Sequence, residues 1–262
     1  GLSSFHYTLT TMGKVFSLSI TSKKQQDSKI TYEYDPQDFP WVWAIREVEV
    51  LDWRTGLTSE EILEQSRLQA NLPVPIYGSL YLGNAASVQD IGKLKRLGIK
   101  RVLNVAGPLA LQNSIIRAYK MEGIEYKQIS AQDEEDYPLL EHHWETAREF
   151  INGGVDNEGK RQKCVVHCVA GINRSSLIVA ADCMMSCQKP VLEVVQHIRK
   201  QRGNIALSNT YFQEQLVALA RMSNLLGAKP GTKGSFLENI IVPTDEVHSK
   251  APKDYKSLLD RG

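Results

Sequence analysis

Apolar and polar residues alternate between Val15 and Ile20, and Ile30 to Tyr34 is β-branched and aromatic, so both stretches predict strands. Trp41, Val42, Trp43, Ile45, Val48 and Val50 make a third strand-like run. Its apolar set shifts phase at Arg46 and Glu47, as a bulge or a junction of two strands. Thr58 to Glu61 has the spacing of a capping box, and Ile62, Leu63 and Leu68 follow, which predicts a short helix leading to the turn-rich Asn71 to Pro75. From Ile76 the rhythm changes. Arg101 to Ala106 and Ile124 to Ile129 read as buried strands, while Val88, Ile91, Leu94 and Leu97 recur at helical spacing. Leu140, Trp144, Ala147, Phe150 and Ile151 mark another helix. Cys164 to Val166 is a short apolar strand running into His167 and Cys168, and a helix is expected from Arg174. Pro190 suits the first turn of the next helix, and Ser208 the cap of a last one carrying Phe212, Leu216, Leu219 and Leu225.

Strands alternating with helices predict an α/β sheet over residues 71–228. A smaller, mostly β region at 1–70 precedes it, and a polar tail at 229–262 follows. Hydrophobic residues at 42% and charged residues at 23% describe ordinary globular material. A net charge of +1 gives no broad field for nucleic acid or a membrane surface, so any phosphate recognition is local. The four cysteines form no CxxC pair, which argues against a disulfide scaffold and a zinc site. No apolar run approaches the roughly eighteen residues of a membrane span. The expected compartment is cytoplasmic or nuclear; the chain starts with Gly1, so a removed targeting segment stays open.

The chemistry concentrates in His167-Cys168-Val169-Ala170-Gly171-Ile172-Asn173-Arg174-Ser175. A buried strand, a tight loop and a helix gather backbone N–H groups and the positive end of a helix dipole around one point, which suits a phosphate bound by residues 169 to 174. The same field stabilises a thiolate, the nucleophilic form of Cys168. Arg174 offers a planar fork matched to two phosphate oxygens. Gly171 leaves room for close backbone approach. Ser175 is placed to donate its hydroxyl to the departing thiolate. The bland alternative is a core cysteine at a strand end with an ordinary surface arginine. The joint spacing of strand, loop, Gly171, Arg174 and helix argues against it.

This segment resembles the HCxxGxxR(S) signature of the protein tyrosine phosphatases and, more narrowly, a dual-specificity phosphatase. Leu80 to Asn84, Val102 to Ala106, and Ala206 to Asn209 with Phe212, Gln215 and Leu216 match that family in order. The resemblance implies a central sheet flanked by helices, a two-step reaction through phosphocysteine, and neither metal nor cofactor. It also implies a general acid in the acidic loop Asp133-Glu134-Glu135-Asp136. Similarity to slingshot-type phosphatases around that loop, Leu140 and Trp144 favours Asp133, with Asp136 as the alternative. His167 is carried over as an orienting group that favours the thiolate, the alternative being a neutral core histidine. Asn104 and Asn209 match positions that brace loops near the site. Cys164, Cys183 and Cys187 read as small packing residues rather than redox partners.

The implied substrate is a phosphorylated protein carrying phosphoserine, phosphothreonine or phosphotyrosine. No lysine or second arginine stands between Cys168 and Arg174, which argues against polyanionic inositol phosphates. Val169 to Ile172 is also similar to the loop of glucan phosphatases, which makes a phosphoglucan the alternative substrate, although Asn173 stands where that family has glycine. Trp41, Trp43 and Trp53 would then offer a sugar platform; strand tryptophans more often belong to a core. A third reading is a catalytically weak protein that binds phosphorylated partners. The intact Cys168 and Arg174 speak against it.

Overall fold

The alternating run at Val15 to Ile20 lies in a hairpin. Strands β1 (Ser4–Thr11) and β2 (Lys14–Thr21) pair antiparallel, from Ser4 opposite Thr21 to Thr11 opposite Lys14. A computed structural model describes residues 4–11, 14–21, 31–47, 58–235, 237–239 and 242. The chain divides into two units, Gly1–Thr31, which holds the hairpin, and Tyr32–Gly262.

Two strands expected at the start of the second unit are not there. Thr31 to Asp35 has no regular structure, and Phe39–Glu47 is helix α1. Phe39, Val42 and Ile45, three residues apart, are buried on one face. Their period is helical, and the lost alternation at Arg46 and Glu47 is its trace in the sequence. Ile30, Val48, Val50 and Trp53 lie outside the described residues. Tyr32, Val42, Ala44 and Ile45 share one core with the sheet. Arg46 pairs with Glu214 at 2.9 Å, and Arg221 with the buried Asp38 at 3.0 Å. The second unit therefore begins ahead of the boundary expected near residue 70.

Helix α2 (Ser59–Asn71) starts at the expected capping box. Thr58 Oγ1 accepts from Glu61 N at 3.2 Å, and Glu61 Oε2 accepts from Thr58 N at 2.8 Å. Next come β3 (Val74–Tyr77), β4 (Leu80–Asn84), α3 (Ala85–Gln89), α4 (Ile91–Leu97) and β5 (Ile99–Asn104). The helical pattern from Val88 to Leu97 is thus split at Asp90, whose side chain caps α4 by accepting from Lys93 N at 2.8 Å. Then follow α5 (Asn113–Met121), β6 (Glu125–Gln128), α6 (Leu139–Gly153), β7 (Lys163–Cys168), α7 (Arg174–Cys187), α8 (Val191–Arg202) and α9 (Thr210–Met222). Pro190 is the N-cap residue of α8, one position before the helix. Asn209, not Ser208, caps α9, accepting from Phe212 N at 3.1 Å.

The sheet runs β3-β4-β7-β5-β6, antiparallel at β3 and parallel elsewhere. Its central strands are apolar on both faces, as a sheet covered on both sides requires. Leu82, Leu103, Cys164, Val166 and Cys168 join one core with residues of α6 to α9. Tyr81, Val102 and Val165 join another with Val88, Leu94 and Tyr119. This is the α/β architecture of a central sheet flanked by helices. No described helix is long and apolar enough to cross a membrane.

Candidate active site

Strand β7 ends at Cys168 between β4 and β5, with Asn84 opposite Cys168 and Asn104 opposite His167. Parallel strands open their loops at this carboxyl edge, where α/β sheets hold ligands. The chain turns through Val169 to Asn173 before α7. Gly171 has φ +69°, and a Cβ there would lie 2.6 Å from Gly83 O. Backbone conformation and space both demand glycine.

The loop's hydrogen bonds account for its polarity. Val169 O accepts from Ala85 N at 3.0 Å and Ile172 O from Leu207 N at 2.8 Å. Ala170 O accepts from Arg202 Nη2 at 2.9 Å and Gly171 O from Arg202 Nε at 2.8 Å. The carbonyls are held from outside, while the Gly171 N–H turns inward to Cys168 Sγ, as donors do in an anion-binding nest. Asn173 makes no side-chain cap on α7, so no side chain of that residue takes the first-turn N–H groups of the helix.

At the centre, Cys168 Sγ accepts from Gly171 N and from Ser175 Oγ, both at 3.2 Å. Two donors aimed at one sulfur suit a thiolate, which only accepts. Arg174 is held by a bond from Nη1 to Ala131 O at 3.3 Å. Its Nε stands 3.6 Å from Asp133 Oδ2, an ion pair too long for a hydrogen bond. That buried Nε finds no hydrogen-bond partner among the described residues. Asp133 Oδ1 accepts from Asn209 Nδ2 at 3.2 Å, and the same amide nitrogen reaches Glu134 O. Beyond the acidic run, Gln215 accepts from Leu140 N and donates to Tyr137 O, each at 2.9 Å, which fixes the loop's far end. Asp136 is exposed and acts on Tyr211, whose phenol is pushed up first by burial and then by neighbouring carboxylates.

Two of the expected loop roles change on inspection. Asn173 lends its backbone to the loop, but its side-chain Oδ1 is committed elsewhere, accepting from Ser208 N (2.9 Å), Ser208 Oγ (3.1 Å) and Asn209 N (3.0 Å). It ties the phosphate loop to the residue that holds Asp133. His167 is fully buried, with Nδ1 3.1 Å from Cys168 O, and burial pushes its pKa down to about 4. It is neutral near pH 7 and brings no positive charge to the sulfur. Asn104 donates to Gly107 O at 2.8 Å and accepts from Ala106 N at 2.8 Å, bracing the loop after β5. Burial pushes Cys183 up to about 12. Among the described residues no group of three or more His, Cys, Asp or Glu is placed to hold a metal ion.

Sequence reading passed over Arg202. The available signal was its phase: on α8 it continues the buried stripe of Val191, Val195 and Ile198, where a charge is costly unless bonded.

Residues 80–222, more than half of the chain, match the family model "Dual specificity phosphatase, catalytic domain". The chain is 30% identical over 162 residues to dual specificity protein phosphatase 26 of Homo sapiens, covering 62% of this chain and 74% of that one. It is 31% identical over 148 residues to protein phosphatase Slingshot homolog 1 of Mus musculus, covering 56% of this chain and 13% of that one. The crystal structure of DUSP15 is similar over 58% of this chain and 91% of its own, at 27% identity and a TM-score of 0.46. With a family model spanning more than half its length and a relative of which it covers about three quarters, the chain belongs to the dual specificity phosphatases.

Proposed function

We propose that this phosphatase hydrolyses phosphoserine, phosphothreonine and phosphotyrosine in proteins through a phosphocysteine on Cys168. The observation that carries the reading is the pair of donors, Gly171 N–H and Ser175 O–H, each 3.2 Å from Cys168 Sγ. In the first step the thiolate attacks phosphorus, the S–P bond forms and the P–O bond to the substrate breaks. Asp133, in its acid form, gives its proton to the leaving oxygen. Arg174 and the loop N–H groups carry the charge that spreads over the three remaining oxygens. In the second step water attacks phosphorus and passes a proton to the Asp133 carboxylate. The S–P bond breaks, and the Ser175 hydroxyl supports the departing thiolate.

The choice of Asp133 over Asp136 is supported by distance, since Asp133 Oδ2 lies 3.6 Å from Arg174 Nε. The test is phosphate release from matched phosphoserine, phosphothreonine and phosphotyrosine peptides under reducing conditions, with phosphorylated amylopectin alongside. Turnover of the peptides is expected. Preferred turnover of the glucan would reassign the substrate, and tight peptide binding without turnover would make the protein a phospho-reader.

A further inference from the structure

We propose that Arg202 is a positioning residue that holds the phosphate loop in its reactive form by gripping the back of the peptide unit whose front faces the sulfur. This rests on Cys168 being the nucleophile.

Ala170 C=O and Gly171 N–H are opposite edges of one planar peptide unit, so fixing one fixes the other. Arg202 Nη2 donates to Ala170 O at 2.9 Å, and Gly171 N–H donates to Cys168 Sγ at 3.2 Å. The next unit is held the same way, since Arg202 Nε donates to Gly171 O at 2.8 Å, which sends the Ile172 N–H away from Arg202. One rigid guanidinium therefore sets two successive peptide planes. The carbonyls on either side, Val169 O and Ile172 O, are held by the backbone amides of Ala85, the first residue of α3, and of Leu207, in the segment before α9. Arg202 is thus the side chain that secures the middle of the loop.

The middle is where support is needed. Gly171 sits at φ +69°, and glycine moves between positive and negative φ at little cost. A rotated 170–171 unit would turn a carbonyl oxygen toward Cys168 in place of a donor. The β-carbon of any other residue would oppose that motion, but the contact with Gly83 O forbids one. The loop needs glycine to form, and glycine leaves it free to turn, so the restraint comes from outside. Arg202 is 3% exposed. A guanidinium so buried is costly unless its bonds compensate. Its charge also interacts favourably with Cys168.

The substitution that isolates this role is Arg202→Lys, which keeps the charge and most of the stem but cannot span two carbonyls. Wild type, Arg202→Lys and Cys168→Ser are compared on an aryl phosphate, by thermal melting, and by the pH dependence of inactivation with iodoacetate. The expected result is a native-like melt, a kcat lower by roughly 10- to 100-fold, a KM changed by less than about threefold, and an inactivation midpoint about one pH unit higher. Native melting with wild-type kcat and midpoint would overturn the proposal. Failure of Arg202→Lys to fold would also overturn it, since Arg202 would then support the core rather than the loop. If Cys168→Ser matches wild type, the nucleophile assignment has failed, whereas an inactive Cys168→Ser beside an unaffected Arg202→Lys removes the Arg202 proposal alone.

Discussion

Cys164 and Cys168 stand four residues apart on one face of β7, and each is 1% exposed. Their sulfurs meet opposite surroundings. Cys164 Sγ faces the Val165 carbonyl at 3.9 Å, to which a thiol donates, and burial pushes the thiol up. Cys168 Sγ accepts from a backbone N–H and a hydroxyl. The strand interior spends its backbone N–H groups on the ladder, whereas its carboxyl end releases them into a loop whose carbonyls are held from behind. Burial is common to the two cysteines; what separates them is the direction of the hydrogen bonds at the sulfur.

The largest effect that tests this contrast is exchange of each cysteine for serine. Cys168→Ser is expected to lower kcat on an aryl phosphate at least about a thousandfold, because a neutral hydroxyl replaces the attacking group. Cys164→Ser is expected to keep kcat within about threefold and to lose about 1–3 kcal/mol of stability from the buried hydroxyl, read by urea titration. Equal loss of activity in both would mean that β7 has no special end. Asp133→Asn is expected to lower kcat by roughly 10² to 10⁴, more on an alkyl than on an aryl phosphate, whose leaving group needs less help from an acid. Asp136→Asn is expected to stay within about twofold. The reverse ranking would move the proton donor to Asp136.

Gly171→Ala adds one carbon where the chain leaves 2.6 Å to Gly83 O and holds φ at +69°. The strain of the positive φ alone is worth about 1–3 kcal/mol. A loop displaced by about an ångström costs on the order of a hundredfold in rate. Denaturant titration and kcat on the same sample separate the two. A large stability loss with full activity in the folded fraction would show that the loop tolerates displacement.

The strand, loop and helix around Cys168 were legible because the apolar run from Cys164 to Val166 marks the strand, Gly171 marks the tight turn and Arg174 opens the helix. The sheet was legible where both faces are apolar, as at Val102 to Val105 and Cys164 to Val166. Helix α1 was misread because Trp41, Trp43 and Ile45 fit period 2 while Phe39, Val42 and Ile45 fit the helical one, and short apolar runs satisfy both. The side-chain commitments of Asn173 and Arg202 depend on partners about thirty residues away in sequence, and spacing along the chain carries no trace of such pairings. The cap of α9 moved from Ser208 to Asn209 for the same reason, since Ser208 is occupied by Asn173.

His167, between the two cysteines in sequence, sharpens the comparison at the smallest scale. It too is fully buried, and burial lowers its pKa from 6.5 to about 4, against a weaker opposing effect of the Cys168 carbonyl. The folded state therefore binds fewer protons than the unfolded state between these values. The contribution is fully present above pH 6.5 and is lost as the pH falls through 4, amounting to about 3 kcal/mol. Carboxylates titrate in part of the same window, so the comparison is with His167→Gln, which remains neutral throughout. Urea titrations of both proteins from pH 7 to pH 4 should show wild type losing about 3 kcal/mol more than the variant. Parallel curves would mean that His167 takes up its proton in the fold as it does in the unfolded chain, becoming a cation beside Cys168 only as the pH falls through about 6.5.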